Sequence, residues 1–339
     1  MRPLLIVILG PTAVGKTELT LSLAEYFHCP ILNCDSRQIY KDMEIGTASP
    51  TEQQRKRVEH YFVGQLELDA YYSAAMYEQE VLSLTDTLFQ KHDTLILSGG
   101  SMMYIDAVCN GIDDIPTAND EVRTNLYARL KDEGLDVLLE ELRLVDPQHY
   151  NVVDRKNWKR VVHALEIYYT TGKPYSDFLT RKSLRSLDGD VNENLRPFDI
   201  LKIGLERPRE ELFERINTRV DDMINSGMLR EAALLYPFRD LNSLNTVGYK
   251  ELFKYISGEW ELNMAIERIK KNTRVYAKKQ MTWFKRDPEI EWFDVEKAGS
   301  DLVNQIMGSI SPEQKQNLLN QMKSYGCPNE ILSQLQNMK

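Results

Sequence analysis

Leu4–Leu9 is an unbroken apolar run, rich in β-branched residues, and Gly10 follows it directly. A run this short and continuous predicts a strand covered on both faces. Gly15–Phe27 then reads as a helix, with Leu19, Leu21, Leu23, Ala24 and Phe27 available for its buried side. Ile31–Cys34 predicts a second strand, ending in Asp35-Ser36-Arg37-Gln38. Across Ser73–Lys91 the apolar positions Ala74, Tyr77, Val81, Leu84 and Leu88 recur at helical spacing. Thr94–Leu97 predicts a third strand, ending in Ser98-Gly99-Gly100-Ser101. Strands alternating with helices predict an α/β fold with a parallel sheet.

The pattern changes near Ile112. Helices are expected at Asp120–Lys131, Leu135–Leu144 and Asn157–Thr170, punctuated by Pro116, Pro147 and Gly172-Lys173-Pro174. Arg181–Arg196 is polar and reads as a mobile loop. The block 113–198 is therefore expected to be an all-helical insertion in a core made of 1–112 and 199–295. A strand at Phe198–Leu205 resumes that core, followed by helices at Pro208–Asn225, Gly248–Ile256 and Glu259–Lys285, then a last strand at Glu289–Phe293. Residues 296–339 read as a helix-prone extension, with Leu318, Leu319 and Met322 able to pack.

Composition narrows the class. The 339 residues, 42% hydrophobic and 27% charged, suit a soluble chain of about two domains. The net charge of -9 argues against nucleic-acid binding through overall charge, though a local basic surface remains open. Cys29, Cys34, Cys109 and Cys327 form no CxxC pair and no zinc spacing, which favours a reducing, cytoplasmic setting. The N-terminal apolar run is too short for a signal peptide. No stretch approaches the roughly 20 apolar residues that span a bilayer, so no membrane partner is expected.

The chemistry is carried by a few motifs. Gly10-Pro11-Thr12-Ala13-Val14-Gly15-Lys16-Thr17 matches the phosphate-binding loop between a strand and a helix. Its glycines let successive amides face one anion, and the helix N-terminus adds positive potential. Lys16 adds a full charge, and Thr17 can place its hydroxyl on a magnesium ion. Asp35 follows the second strand, so parallel topology brings it to the same crevice; a plain turn-forming role is the alternative. The third strand ends without an acidic residue, which weighs against ATP hydrolysis. Between Arg268 and Arg286 lie Lys270, Lys271, Arg274, Lys278, Lys279 and Lys285, with Tyr276, Trp283 and Phe284 interleaved and no acidic residue. In an acidic chain this points to a phosphate-rich polymer, or else to a solvated helix face. A smaller basic cluster, Arg155, Lys156, Lys159 and Arg160, surrounds Trp158.

In order along the chain, GPTAVGKT (10–17), DSRQIYKDMEIGTA (35–48), YSAA (72–75), LSGGSMMYI (97–105) and DIP (114–116) are followed by RVVHALEIYYTTGKPYS (160–176), TVGYKE (246–251) and NTRVYAKKQMTWFKRD (272–287). Together they closely resemble the tRNA dimethylallyltransferases, or IPP transferases, of bacterial type. The resemblance implies a P-loop NTPase-like sheet flanked by helices, with the insertion gripping the anticodon stem-loop. It implies transfer of a dimethylallyl group from dimethylallyl diphosphate to N6 of the adenosine 3′ of the anticodon. Gly10–Thr17 would hold the diphosphate, with Arg219 and Arg215 as further contacts and magnesium on Thr17. Asp35 matches the general base, Ser101 stands where most members have Thr, and Arg123 matches a substrate-contacting arginine. Implied tRNA contacts are Asp35, Ser36, Arg37 and Gln38; Lys156, Asn157, Trp158, Lys159 and Arg160; and Thr246, Val247, Gly248, Tyr249 and Lys250. The basic stretch adds Arg274, Lys278 and Lys279. A monomer is expected. A small-metabolite kinase of the same fold is the rival, but it would need neither the insertion nor the basic stretch.

Overall fold

The computed structural model describes residues 2–113, 115–116, 118–179, 196–298 and 302–309. Two compact units make up the chain, one of Met1–Cys109 with Asn194–Lys339 and one of Asn110–Glu193.

The first unit is built on a sheet of β1 (Leu4–Leu9), β2 (Ile31–Cys34), β3 (His60–Tyr61), β4 (Thr94–Gly99), β5 (Asp199–Glu206) and β6 (Ile290–Asp294). The strand order is β3-β2-β4-β1-β5-β6, and every pair is parallel. All of Leu4–Leu9 is buried, because β1 sits between β4 and β5 with its two faces covered. The N-terminal helices are α1 (Lys16–Phe27), α2 (Glu44–Thr47), α3 (Glu52–Arg57), α4 (Ala74–Leu88) and α5 (Met102–Asn110). α1 buries Leu19, Leu21, Leu23, Ala24 and Phe27, the face expected from the spacing. α4 is capped by the Ser73 hydroxyl on the Met76 amide.

Within the second unit lie α6 (Asp120–Asp132), α7 (Leu135–Val145), α8 (Pro147–Val152) and α9 (Trp158–Thr171). No strand occurs among its described residues. Leu126, Leu138, Leu142, Val161, Val162 and Leu165 form a separate hydrophobic core there. Asp146 nucleates α8 by accepting the His149 amide, and its other oxygen accepts the Ser176 amide.

The chain then returns to the first unit with α10 (Arg209–Asn225), α11 (Met228–Leu235), α12 (Tyr249–Ile256), α13 (Leu262–Phe284), α14 (Val295–Ala298) and α15 (Leu302–Ser309). Residues 181–195 of the expected mobile loop lie outside the described residues. Its last member, Arg196, is not loop-like: it is buried, donating to the Val108 and Ala107 carbonyls and pairing with the buried Glu78. The carbonyls at the end of α5 and a buried carboxylate explain why a charged residue tolerates this position. Part of the C-terminal extension also enters the core, since Leu302 and Ile306 of α15 are buried. Leu318, Leu319 and Met322 lie outside the described residues.

Candidate active site

The loop between β1 and α1 closes around Lys16. Gly15 has φ 112° and ψ 20°, a left-handed conformation that a side chain would strain. The Lys16 ammonium donates to the carbonyls of Gly10 at 3.0 Å and Pro11 at 2.8 Å. Burial and the nearby Arg219 lower its pKa to about 7, against a smaller opposing pull from Asp35. An anion in the loop would restore that charge.

Positive groups converge on the same loop from α10 and the turn before it. Arg207 Nε donates to the Val14 carbonyl at 2.8 Å, and Arg215 Nε to the Ala13 carbonyl at 2.9 Å. The Arg219 guanidinium lies 3.3 Å from the Thr12 hydroxyl. Desolvation disfavours the Arg219 charge, and only Asp35 offsets it, so this cation is poised for an anionic partner.

The other half of the site comes from the strand ends beside β1. Oδ1 of Asp35 accepts the amides of Arg37 at 2.8 Å and Gln38 at 3.3 Å, fixing the carboxylate in a turn. The Ser101 hydroxyl accepts the Ser36 amide. Gln38 Nε2 donates to the carbonyls of Thr47 and Ala48, and Arg37 Nη1 to those of Asn242 and Ser243. These two side chains therefore shape the site's rim through their own chain.

One cavity of 1160 Å³ joins both halves. Lys16, Thr17, Arg215 and Arg219 line it with Asp35, Gln38, Gly100, Tyr276 and Gln280. Burial, and to a lesser degree Asp35, pushes the Tyr276 phenol up in pKa, so it is a neutral hydroxyl in that wall. Thr17 offers one hard oxygen, the donor type magnesium takes beside substrate phosphates. Among the described residues no group of three His, Cys, Asp or Glu gathers to hold a resident metal. Thr17 is the residue that would hold an ion arriving with a phosphorylated ligand.

The remaining expected contacts divide by exposure. Lys250 is exposed, but Tyr249 is fully buried and donates to Glu231 at 2.7 Å, so its side chain presents no surface to RNA. Glu251, buried behind it, accepts the Gly248 amide and the Asn272 side chain, which pins Thr246–Lys250 to α13. On α13 itself, Lys278 and Lys279 are exposed, Lys278 lying over the Phe213 ring. Arg274 bonds Asn217, and Lys270 pairs with Asp221 at 2.8 Å and Glu267 at 3.3 Å. The basic stretch is thus partly spent inside the protein. In the helical unit, Arg123 donates to the buried Glu166 at 3.1 Å, and Lys159 lies over the ring of the partly exposed Trp158. Gln280 and Arg207 were not singled out in sequence, whereas Tyr276 was noted among the aromatics of the basic stretch; for Gln280 a polar residue on the buried Ala277–Gln280–Phe284 face of α13 was the available signal.

A phosphate-binding loop facing a fixed carboxylate across one cavity defines a P-loop α/β enzyme that acts on a phosphorylated donor. The chain belongs to the IPP transferase family, whose sequence model matches residues 38–287. It is 59% identical over 293 residues to tRNA dimethylallyltransferase 1 of Phocaeicola vulgatus, covering 86% of this chain and 94% of that one. It is 56% identical to tRNA dimethylallyltransferase 1 of Bacteroides fragilis, covering 90% and 98%. Among solved structures, the tRNA isopentenylpyrophosphate transferase of Bacillus halodurans aligns with TM-score 0.64 and 30% identity, over 96% of this chain and 100% of that one. A eukaryotic dimethylallyltransferase described as acting on tRNA aligns with TM-score 0.74 and 26% identity, over 90% and 78%.

Proposed function

We propose that this chain transfers the dimethylallyl group of dimethylallyl diphosphate to N6 of the adenosine 3′-adjacent to the anticodon, in tRNAs reading codons that start with U, with release of diphosphate. The observation that carries this reading is the shared cavity, with the phosphate loop on one side and Asp35 on the other.

The phosphate loop Gly10–Thr17 with its Lys16, together with Arg219 and the more exposed Arg215, holds the diphosphate as leaving group. The bond between C1 and the bridging oxygen breaks, and its electron pair leaves with the diphosphate. The adenine amine forms the new C1–N bond and becomes acidic as it does so. Asp35 takes the proton, with Oδ1 already held by its turn. Thr17 would hold a magnesium ion arriving with the diphosphate, which when bound would add charge neutralisation on the leaving group. In the same site, Ser101 positions the Ser36 backbone.

On the RNA side, Lys156, Asn157, Trp158, Lys159 and Arg160 grip the anticodon arm, and Arg123 is a further substrate contact. Within the first unit, Thr246–Gly248, Lys250, Ser36–Gln38, Lys278 and Lys279 are further RNA contacts, with the buried Tyr249 holding their turn from inside. The target base leaves its stack to reach the half-buried Asp35 carboxylate, at a cost of a few kcal/mol that is lower in a loop than in a duplex. No described helix is long and apolar enough to cross a membrane. On this reading the protein works as a monomer in the cytoplasm, where its tRNA is.

Incubation with labelled dimethylallyl diphosphate, magnesium and unmodified tRNA carrying adenosine after the anticodon tests the reading. Label in tRNA, lost in Asp35→Ala, is expected. Phosphoryl transfer from ATP to a small metabolite without tRNA labelling would overturn it in favour of a kinase.

A further inference from the structure

The side chain of Gln280 spans the two halves of the cavity. Its Oε1 accepts the Thr12 amide at 3.0 Å, and its Nε2 donates to the Gly100 carbonyl at 2.8 Å. Thr12 belongs to the loop that holds the diphosphate. Gly100 precedes Ser101, whose hydroxyl accepts the Ser36 amide one residue from Asp35. One buried amide therefore connects the leaving-group side to the proton-accepting side.

Three further observations show that the connection is built rather than incidental. Gln280 is 2% exposed, so its amide is shut away from bulk water. A buried amide left unpaired is costly, and here both its carbonyl and its amino group are engaged. The Gln280 amide occupies the space beside Gly100, where a Cβ would lie 2.5 Å from Nε2. Gln280 presents an acceptor toward Thr12 and a donor toward Gly100, a pairing an ionised carboxylate cannot supply.

We infer that Gln280 is a positioning residue that sets the separation between the diphosphate loop and the Ser101–Asp35 turns, and so the alignment of donor and amine. The inference rests on the prenyl-transfer reading of the cavity. Gln280 need not touch either substrate. It acts through Thr12 and Gly100, so its loss should affect the rate of the bound complex more than the binding of either substrate. A misplacement of about 1 Å at a reacting centre costs on the order of a hundredfold in rate.

The test compares wild type, Gln280→Met and Gln280→Glu in single-turnover prenylation of tRNA at saturating substrates, with melting curves to establish folding. Gln280→Met should lose about 10- to 100-fold in rate. The KM values for dimethylallyl diphosphate and tRNA should stay within about threefold, a limit set by the loop's other contacts. Gln280→Glu is the decisive variant. Ionised, the introduced carboxylate accepts from Thr12 but repels the Gly100 carbonyl. Protonated, it regains both the acceptor and the donor. Its rate relative to wild type at each pH should therefore rise as pH falls from 8 to 6, with the proteins folded throughout.

A folded Gln280→Met with the wild-type rate would overturn the inference alone. So would a Gln280→Glu to wild-type ratio that does not change with pH, which also covers the case in which Gln280→Met fails to fold. Absence of prenyl transfer by the wild-type chain would instead sink the functional reading, and this inference with it.

Discussion

The Ser101 Oγ lies 2.7 Å from the Ser36 backbone nitrogen, so the turn after β4 holds the turn after β2 through a single oxygen. That N–H donates to a hydroxyl, and removing the hydroxyl leaves it without this partner. A lost hydrogen bond of this kind costs about 1–3 kcal/mol. Ser101→Ala should therefore lower kcat by about 10- to 100-fold, while Ser101→Thr, which keeps the oxygen, should retain most of it. Steady-state prenylation kinetics of the two variants check this. Equal rates for both would mean that the oxygen is dispensable.

Arg219 and Arg215 both reach the phosphate loop, but they differ in surroundings. Arg215 is exposed, whereas Arg219 is desolvated beside Lys16 and Asp35. A charge-assisted contact made out of water is the stronger one. Arg219→Gln should raise the KM for dimethylallyl diphosphate by about tenfold or more, and Arg215→Gln by only a few-fold. The comparison is read from donor titrations at fixed tRNA.

Tyr249 and Lys250 are neighbours with opposite exposure. Tyr249→Phe removes a hydrogen bond to Glu231, which still accepts the Ile45 and Gly46 amides. The expected result is a stability loss of about 1 kcal/mol with little change in the tRNA KM. Lys250→Glu should do the reverse. Denaturation curves paired with tRNA titrations separate the two.

On α13, Lys278 and Lys279 point to solvent while Lys270 is ion-paired. Reversing both exposed charges in a Lys278→Glu, Lys279→Glu variant should weaken tRNA binding and flatten the dependence of log K on log salt by about one to two units. Lys270→Gln should leave the slope unchanged. Binding measured from low to moderate salt gives both answers.

His149 in the helical unit titrates low because burial opposes its charge, more than Asp146 favours it; Arg160 and His163 oppose it as well. The unfolded chain then takes up a proton near the usual histidine value that the folded unit refuses. Stability from this group is full above about pH 6.5 and declines as pH falls below it. The melting temperature should drop between pH 7 and pH 5.5, and His149→Phe should drop less over the same range. Differential scanning calorimetry at both pH values tests the sign.

β1, β2 and β4 were legible because each is a continuous buried run ending at a turn, and such runs carry their own boundaries. The long helices were legible through spacing, as in α1 and α4. What escaped was short: the largely apolar α5 and α11, of nine and eight residues, and smaller polar elements. α3 is only Glu52–Arg57, though the Thr51 and Gln54 capping box was present to mark it. β3 has two residues and depends on its pairing with β2. Arg196 read as loop because its partners, Glu78 and the end of α5, are remote in sequence. The same reason hid Gln280: its identity was visible, but the two loops that it joins were not. Motif residues such as Tyr249 showed their family but not their burial, which only the packing reveals.

The place of β1 at the sheet's centre also sets a timetable for synthesis. Leu4 pairs with Thr94 on one side and with Asp199 on the other. A ribosome therefore releases the strand that carries the phosphate loop long before its second neighbour exists. The whole of Asn110–Glu193 emerges in between, with an apolar cluster of its own to collapse upon. The helical unit can thus be a finished body while the catalytic sheet is still open along one edge, and β5 and β6, which emerge after it, are the strands that shut it.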